Sequence, residues 1–248
     1  MNCAREYYSH YSSSLNREMH LLVYGTGGTP VIVFPCQDGM CDNWESFNMM
    51  DTLQDYLEQG KIQLFCVDTV DKESWSDTNG DNWHRAWIQE CYYHYIVDEV
   101  VPLVKEWNGT GKLPLVTGFS LGATHSAIVF LRRPDLFGGM LALSGCYDVA
   151  YFWGSWSNGI LYDNSPVSFL PNLPKDHYYI DLYNRRKLIF CVGQGRWEEE
   201  GIRTTRILAE TFAAKGIHAW VDFWGYDVDH DWPWWKEQIR YFLPSLLK

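Results

Sequence analysis

LPLVTGFSLGATHSA, residues 113–127, sets an apolar, strand-like run against an alanine-bearing helical run, with one serine at the junction. Ser120 has a glycine two residues away on either side, Gly118 and Gly122. Glycines so placed imply a backbone bent sharply enough that Cβ atoms would collide. G-x-S-x-G between a strand and a helix is the nucleophile elbow, a turn that lifts a serine hydroxyl clear of the sheet. The bland alternative is a tight turn with a capping serine, and the apolar strand before it and the helix after it favour the elbow.

Outward from this stretch the chain alternates strands with helices. Residues 17–25 (REMHLLVYG) alternate apolar and polar positions, as a half-buried strand does. Residues 29–35 (TPVIVFP) form a continuous apolar run, the pattern of a strand covered on both faces. Similar runs lie at 62–68, 113–119, 138–145, 187–193 and 217–224, and helical stretches at 83–107, 121–132, 201–215 and 231–247. This alternation predicts an α/β fold: a mostly parallel, twisted sheet with helices on both faces. Without a repeat or linker, residues 1–248 read as one domain. Residues 147–180 break the rhythm, with Gly, Asn, Pro and aromatics in no clear period, and are expected to form a lid or substrate loop. Tyr151, Phe152, Trp153 and Trp156 are expected either to hang over the strand ends near Ser120 or to pack inward and hold that loop.

Composition narrows the partners. A net charge of −11 without a basic run argues against nucleic acid and anionic membranes. No apolar run exceeds strand length and the first twenty residues carry no apolar leader, so neither a membrane span nor a signal peptide is expected; the scattered cysteines point to a reducing, cytoplasmic compartment. Seven cysteines, odd in number and without a C-x-x-C pair, suggest free thiols and no zinc site. A small molecule is the expected partner, no metal or cofactor is called for, and a homo-oligomer is left open. The 17% aromatic content, with 13 Trp, is expected mainly in core and crevices.

A serine hydroxyl is a poor nucleophile until a base takes its proton. His230 lies after the last expected strand and before the C-terminal helix, the place the base takes in the chain order Ser, acid, His. His125, five residues past Ser120, points away from the hydroxyl side of the turn and reads as packed and structural. His84 and His94 fall on the long helix before the elbow. The acid is expected after the next-to-last strand, where LIFCVGQGRWEEEG offers Glu198, Glu199 and Glu200. Glu198 comes first past the turn and is preferred over Glu199; Asp222, Asp227 and Asp229 are fallbacks. Adjacent glutamates also suit a solvated helix start, which describes at least two of the three. An oxyanion hole needs two donors. One is the N–H of Leu121. The other must come from Cys36 or Gln37, since Pro35 has none, and Gln37 is favoured unless PCQDG is a plain turn.

Together, REMHLLVYGTGGTPVIVFP with QDG, YIVDEVVPLV, GFSLGATHSA and HDWPWW resemble the putative esterase family of α/β-hydrolases, itself similar to esterase D and the antigen 85 mycolyltransferases. The resemblance runs from about residue 15 to 246. It implies the α/β-hydrolase fold, Ser120 as nucleophile, His230 as base, and a backbone oxyanion hole from Leu121 and Gln37. At the acid the chain departs from the family, with GQGRWEEE where relatives have a short Gly-x-x-Asp. Relatives act on feruloyl esters, siderophore lactones, S-formylglutathione or mycolates, so no single substrate carries over. The expected activity is a serine carboxylesterase with a Ser-His-Glu triad. An acyltransferase using the same triad and a non-catalytic binding module are the alternatives.

Overall fold

A computed structural model describes residues 4–248; Cys3 lies outside the described residues. Eight strands form one sheet: β1 (Arg5–Ser12), β2 (Arg17–Tyr24), β3 (Thr29–Phe34), β4 (Ile62–Val67), β5 (Leu115–Phe119), β6 (Gly139–Leu143), β7 (Lys187–Val192) and β8 (Trp220–Phe223). Their order is β1-β2-β4-β3-β5-β6-β7-β8. β1 and β2 pair antiparallel, β2 meets β4 antiparallel, and every later pairing is parallel. This is the α/β-hydrolase fold, and the central β5 carries the elbow at its carboxyl end.

The continuous apolar runs sort by the two-residue period of a strand. Ile32 and Phe34 of β3, Met140 and Ala142 of β6, and Leu188 and Phe190 of β7 enter one core. Val31 and Val33, Leu141 and Leu143, and Ile189 and Cys191 enter the other. Five long helices are α1 (Asn82–His94), α2 (Val101–Asn108), α3 (Leu121–Arg132), α4 (Glu199–Lys215) and α5 (Trp232–Leu246). The first core takes side chains from α1 to α4; α5 and the short helices of residues 43–58 cover the second. No helix among the described residues is long and apolar enough to cross a membrane.

Four local expectations change. β1 went unread because its exposed Tyr7 and Tyr11 give little apolar signal; pairing with β2 from Arg5↔Tyr24 to Ser12↔Arg17 makes it a strand. The helix expected over 83–107 is not uniform, because α1 passes through a π-helical stretch, Tyr95–Val100, before α2. The strand expected over 217–224 shortens to β8 at the sheet edge, where only one neighbour can bond it. Residues 147–180 are not an irregular loop but short packed helices, Ala150–Trp153, Gly159–Asp163 and Pro166–Phe169 among them. Leu161 and Leu170 anchor them in the first core, and of this segment only Tyr151 and Phe152 line the cavity beside Ser120.

Candidate active site

Ser120 leaves β5 with φ 55° and ψ −127°, a strained conformation for a residue with a side chain. The glycines beside it explain how the turn can close. A Cβ on Gly118 would lie 2.4 Å from the backbone of Gly122, and one on Gly122 would lie 2.4 Å from the Pro35 carbonyl oxygen. α3 therefore starts pressed against both its own strand and the end of β3. That contact brings the Leu121 N–H and the loop after β3 to one cavity.

Across this cavity, of about 210 Å³, stands His230. Its Nε2 lies 2.8 Å from Ser120 Oγ and its Nδ1 lies 3.1 Å from Glu198 Oε2. A carboxylate only accepts, so Nδ1 carries the proton toward Glu198 and Nε2 is left to accept from the serine hydroxyl. Glu198 is 1% exposed. Its Oε1 accepts from Ser144 Oγ at 2.6 Å and from the Gly193 N–H at 3.3 Å. Ser144 in turn accepts from the indole N–H of Trp235 at 3.1 Å, and that indole also packs edge-on to the His230 ring. Trp235 is one of the tryptophans expected to stack around His230, whereas Ser144 has no assigned role in the sequence reading. The available signal was a small polar residue at the carboxyl end of β6, where sheets of this class bind ligands.

The loops that carry Glu198 and His230 pack backbone to backbone. Gly195 donates its N–H to the Val228 carbonyl at 2.9 Å, and His230 donates its own to the Arg196 carbonyl at 3.0 Å. A Cβ on Gly193 would come within 2.2 Å of the Val228 oxygen, so the approach requires glycine. Among the described residues, none of the other acidic candidates, Glu199, Glu200, Asp222, Asp227 and Asp229, hydrogen-bonds to the His230 ring. Glu199 is exposed, and Glu200 lines the cavity but binds Arg203. Asp229 binds Arg196, whose side-chain and backbone hydrogen bonds hold its carboxyl below the usual range. Asp222 lies in β8.

In the loop after β3, the Cys36 N–H is taken by Asn43 Oδ1 at 3.0 Å and the Asp38 N–H by Asp71 Oδ2 at 3.2 Å. Between them the Gln37 N–H, like that of Leu121, donates to no protein group among the described residues. Both residues line the cavity. Cys146 also lines it, but burial pushes its thiol up to about 12, so it stands as a neutral thiol. Of six non-glycine residues with left-handed φ among the described residues, Ser120, Ser144 and Trp197 line the cavity and Asp38 adjoins Gln37. Such strain collects where a site holds side chains in set positions.

The aromatic segment divides. Tyr151 and Phe152 reach the cavity, whereas Trp153 is 5% exposed and packs edge-on to Trp75 with the Arg85 guanidinium 4.5 Å from its ring. Trp156 lies against Trp83, outside the cavity lining. Trp197, 70% exposed, stands at the cavity instead.

The family described as "Putative esterase" matches residues 12–246. A search of curated proteins by sequence finds no match. Among solved structures, a ferulic acid esterase superposes with TM-score 0.76 at 13% identity, over 100% of this chain and 99% of its own. The fluorophosphonate-binding serine hydrolase FphF of Staphylococcus aureus gives 0.73 at 14%, over 99% of both chains. An S-formylglutathione hydrolase from Agrobacterium tumefaciens gives 0.70 at 16%, over 99% of this chain and 100% of its own. At such identities these likenesses establish the shared fold.

Proposed function

The chain belongs to the family described as "Putative esterase", and from that membership and the site geometry we propose that it is a serine carboxylic-ester hydrolase. The observation that carries this reading is the unbroken hydrogen-bonded line from Glu198 through His230 to Ser120, ending beside two unengaged N–H groups. Ser120 Oγ attacks the ester carbonyl carbon as its proton passes to His230 Nε2. The carbonyl π electrons move onto oxygen, and the Leu121 and Gln37 N–H groups receive that oxyanion, each donor worth about 2.7–4 kcal/mol in such a hole. Glu198 holds the imidazole in the required tautomer and stabilises the imidazolium. The intermediate collapses, and the departing alkoxide takes the proton from Nε2 to leave as the alcohol. Water then repeats the sequence on the acyl-enzyme, releasing the carboxylic acid and restoring Ser120.

The cavity falls below the roughly 300 Å³ at which drug-sized pockets begin, which suits a small acyl group with the rest of the ester toward the open side. Ser120→Ala is expected to lower kcat for p-nitrophenyl esters by about 10⁴- to 10⁶-fold with unchanged circular dichroism. Fluorophosphonate labelling should disappear in the same variant. Labelling that persists on another serine, with turnover retained, would refute the assignment.

A further inference from the structure

His125 and Asp71 are buried together, 1% and 0% exposed, with Nε2 2.9 Å from Oδ1. The imidazole is enclosed by Phe34 stacked at 5.9 Å and by the edges of Trp75 and Tyr92. Neither residue lines the cavity, so the proposed chemistry uses neither. An ionisable pair kept this far from water is costly unless its remaining hydrogen-bonding capacity is used. The second oxygen of Asp71 is used on the loop after β3, where it accepts the Asp38 N–H.

That loop is a tight turn closed by the Gly39 N–H on the Cys36 carbonyl at 2.9 Å. Gln37 and Asp38 are its central residues, and Asp38 has φ 60°, the left-handed value that a turn of this type demands at its third position. Aspartate is strained there, and the bond from its N–H to Asp71 offsets the strain. The Cys36–Gln37 peptide is trans, so fixing its carbonyl toward Gly39 turns the Gln37 N–H the opposite way. A second tie joins the same two loops: Gln37 Nε2 donates to Ser76 Oγ at 2.8 Å, and the Ser76 N–H donates to the Asp71 carbonyl at 2.8 Å.

His125 lies on α3, whose first residue, Leu121, carries the other unengaged N–H. The contacts therefore close a circuit from Gln37 through Asp38, Asp71, His125 and α3 to Leu121. We propose that Asp71 and His125 are positioning residues that brace the two oxyanion donors against each other, acting through the Asp38 N–H on one side and the elbow helix on the other. This rests on the reading of Gln37 and Leu121 as the oxyanion hole. The brace matters because a donor misplaced by about 1 Å can cost on the order of 10²-fold in rate.

The test uses the full chain and a p-nitrophenyl ester with its thionoester counterpart, whose larger anionic sulfur fits an oxygen-sized hole poorly. Fluorophosphonate labelling of Ser120 in the parent protein comes first; its absence refutes the esterase reading and the brace with it. Given labelling, Asp71→Asn is expected to lower kcat at least about tenfold with KM within twofold, and to shrink the ester-to-thionoester rate ratio. His125→Gln should do the same, and the double variant should lose little more than either alone, because the two act as one unit. A purely structural role would lower the melting temperature and leave the rate ratio unmoved. Should the buried variants fail to fold, Ser76→Ala cuts the second tie, and the same ratio should fall. Folded variants with parental kcat and rate ratio would overturn the brace while leaving the esterase reading standing.

Discussion

Glu198 holds a carboxylate out of water, an arrangement that costs several kcal/mol unless its oxygens are occupied. The Ser144 hydroxyl and the Gly193 N–H occupy one oxygen, leaving the other for His230. Glu199 and Glu200, one and two residues on, begin α4 with ordinary helix-start surroundings, and Arg203 neutralises Glu200. If Glu198 is the triad acid, Glu198→Gln should lower kcat by at least about tenfold and as far as about 10⁴-fold, because an amide facing Nδ1 can impose the wrong tautomer. Glu199→Gln and Glu200→Gln should stay within a few-fold of the parent. Steady-state kinetics on the three purified variants decides it; equal small losses at all three would remove the acid from this loop.

At the level of elements, the site depends on how closely α3 approaches β3. The approach is set by Gly122, where a Cβ would meet the Pro35 oxygen at 2.4 Å and the Phe34 oxygen at 2.5 Å. Backbone atoms cannot rotate aside as a side chain can, so Gly122→Ala must push the helix from the strand. The expected cost is about 1–3 kcal/mol or more, with a loss of kcat beyond what stability explains, since the Gln37 loop follows Pro35 directly. Gly159→Ala is the matched control: nothing lies within 4 Å of its Cβ, and it should stay within about 0.5 kcal/mol. Urea denaturation of both variants measures the difference.

Across the whole molecule, one sheet closed on both faces delivers the loops after β3, β5, β6, β7 and β8 to one edge, while the helices of residues 150–184 seal the first core and lend only their leading residues to the cavity. The two roles separate at adjacent aromatics. Trp153→Ala should cost about 3–5 kcal/mol by emptying a buried space, without changing acyl-length preference. Tyr151→Ala, at a residue 65% exposed, should shift KM or acyl-length preference across a p-nitrophenyl ester series with little change in melting temperature. A thermal melt and that series, run on both variants, check the division; a Trp153 variant as stable as the parent would contradict it.

Local pattern was enough for much of this architecture. Continuous apolar runs, separated by helical stretches, dictate a covered parallel sheet, and Gly118-Phe119-Ser120-Leu121-Gly122 dictates a sharp strand-to-helix turn, because both follow from backbone sterics and burial within a few residues. Sequence order also set the loops bearing Ser120, the three glutamates and His230 at the ends of β5, β7 and β8. What remained undetermined depends on partners remote in the chain. β1 exists only by pairing with β2. Trp153 and Tyr151, two residues apart in one short helix, are told apart only by what packs over them. Glu198 is singled out from its neighbours by Ser144, 54 residues away, and His125 gains its partner Asp71 across the same separation. Hydrogen bonds between such residues have no periodicity for a sequence to display; they form only once the sheet has brought the strand ends and α3 together.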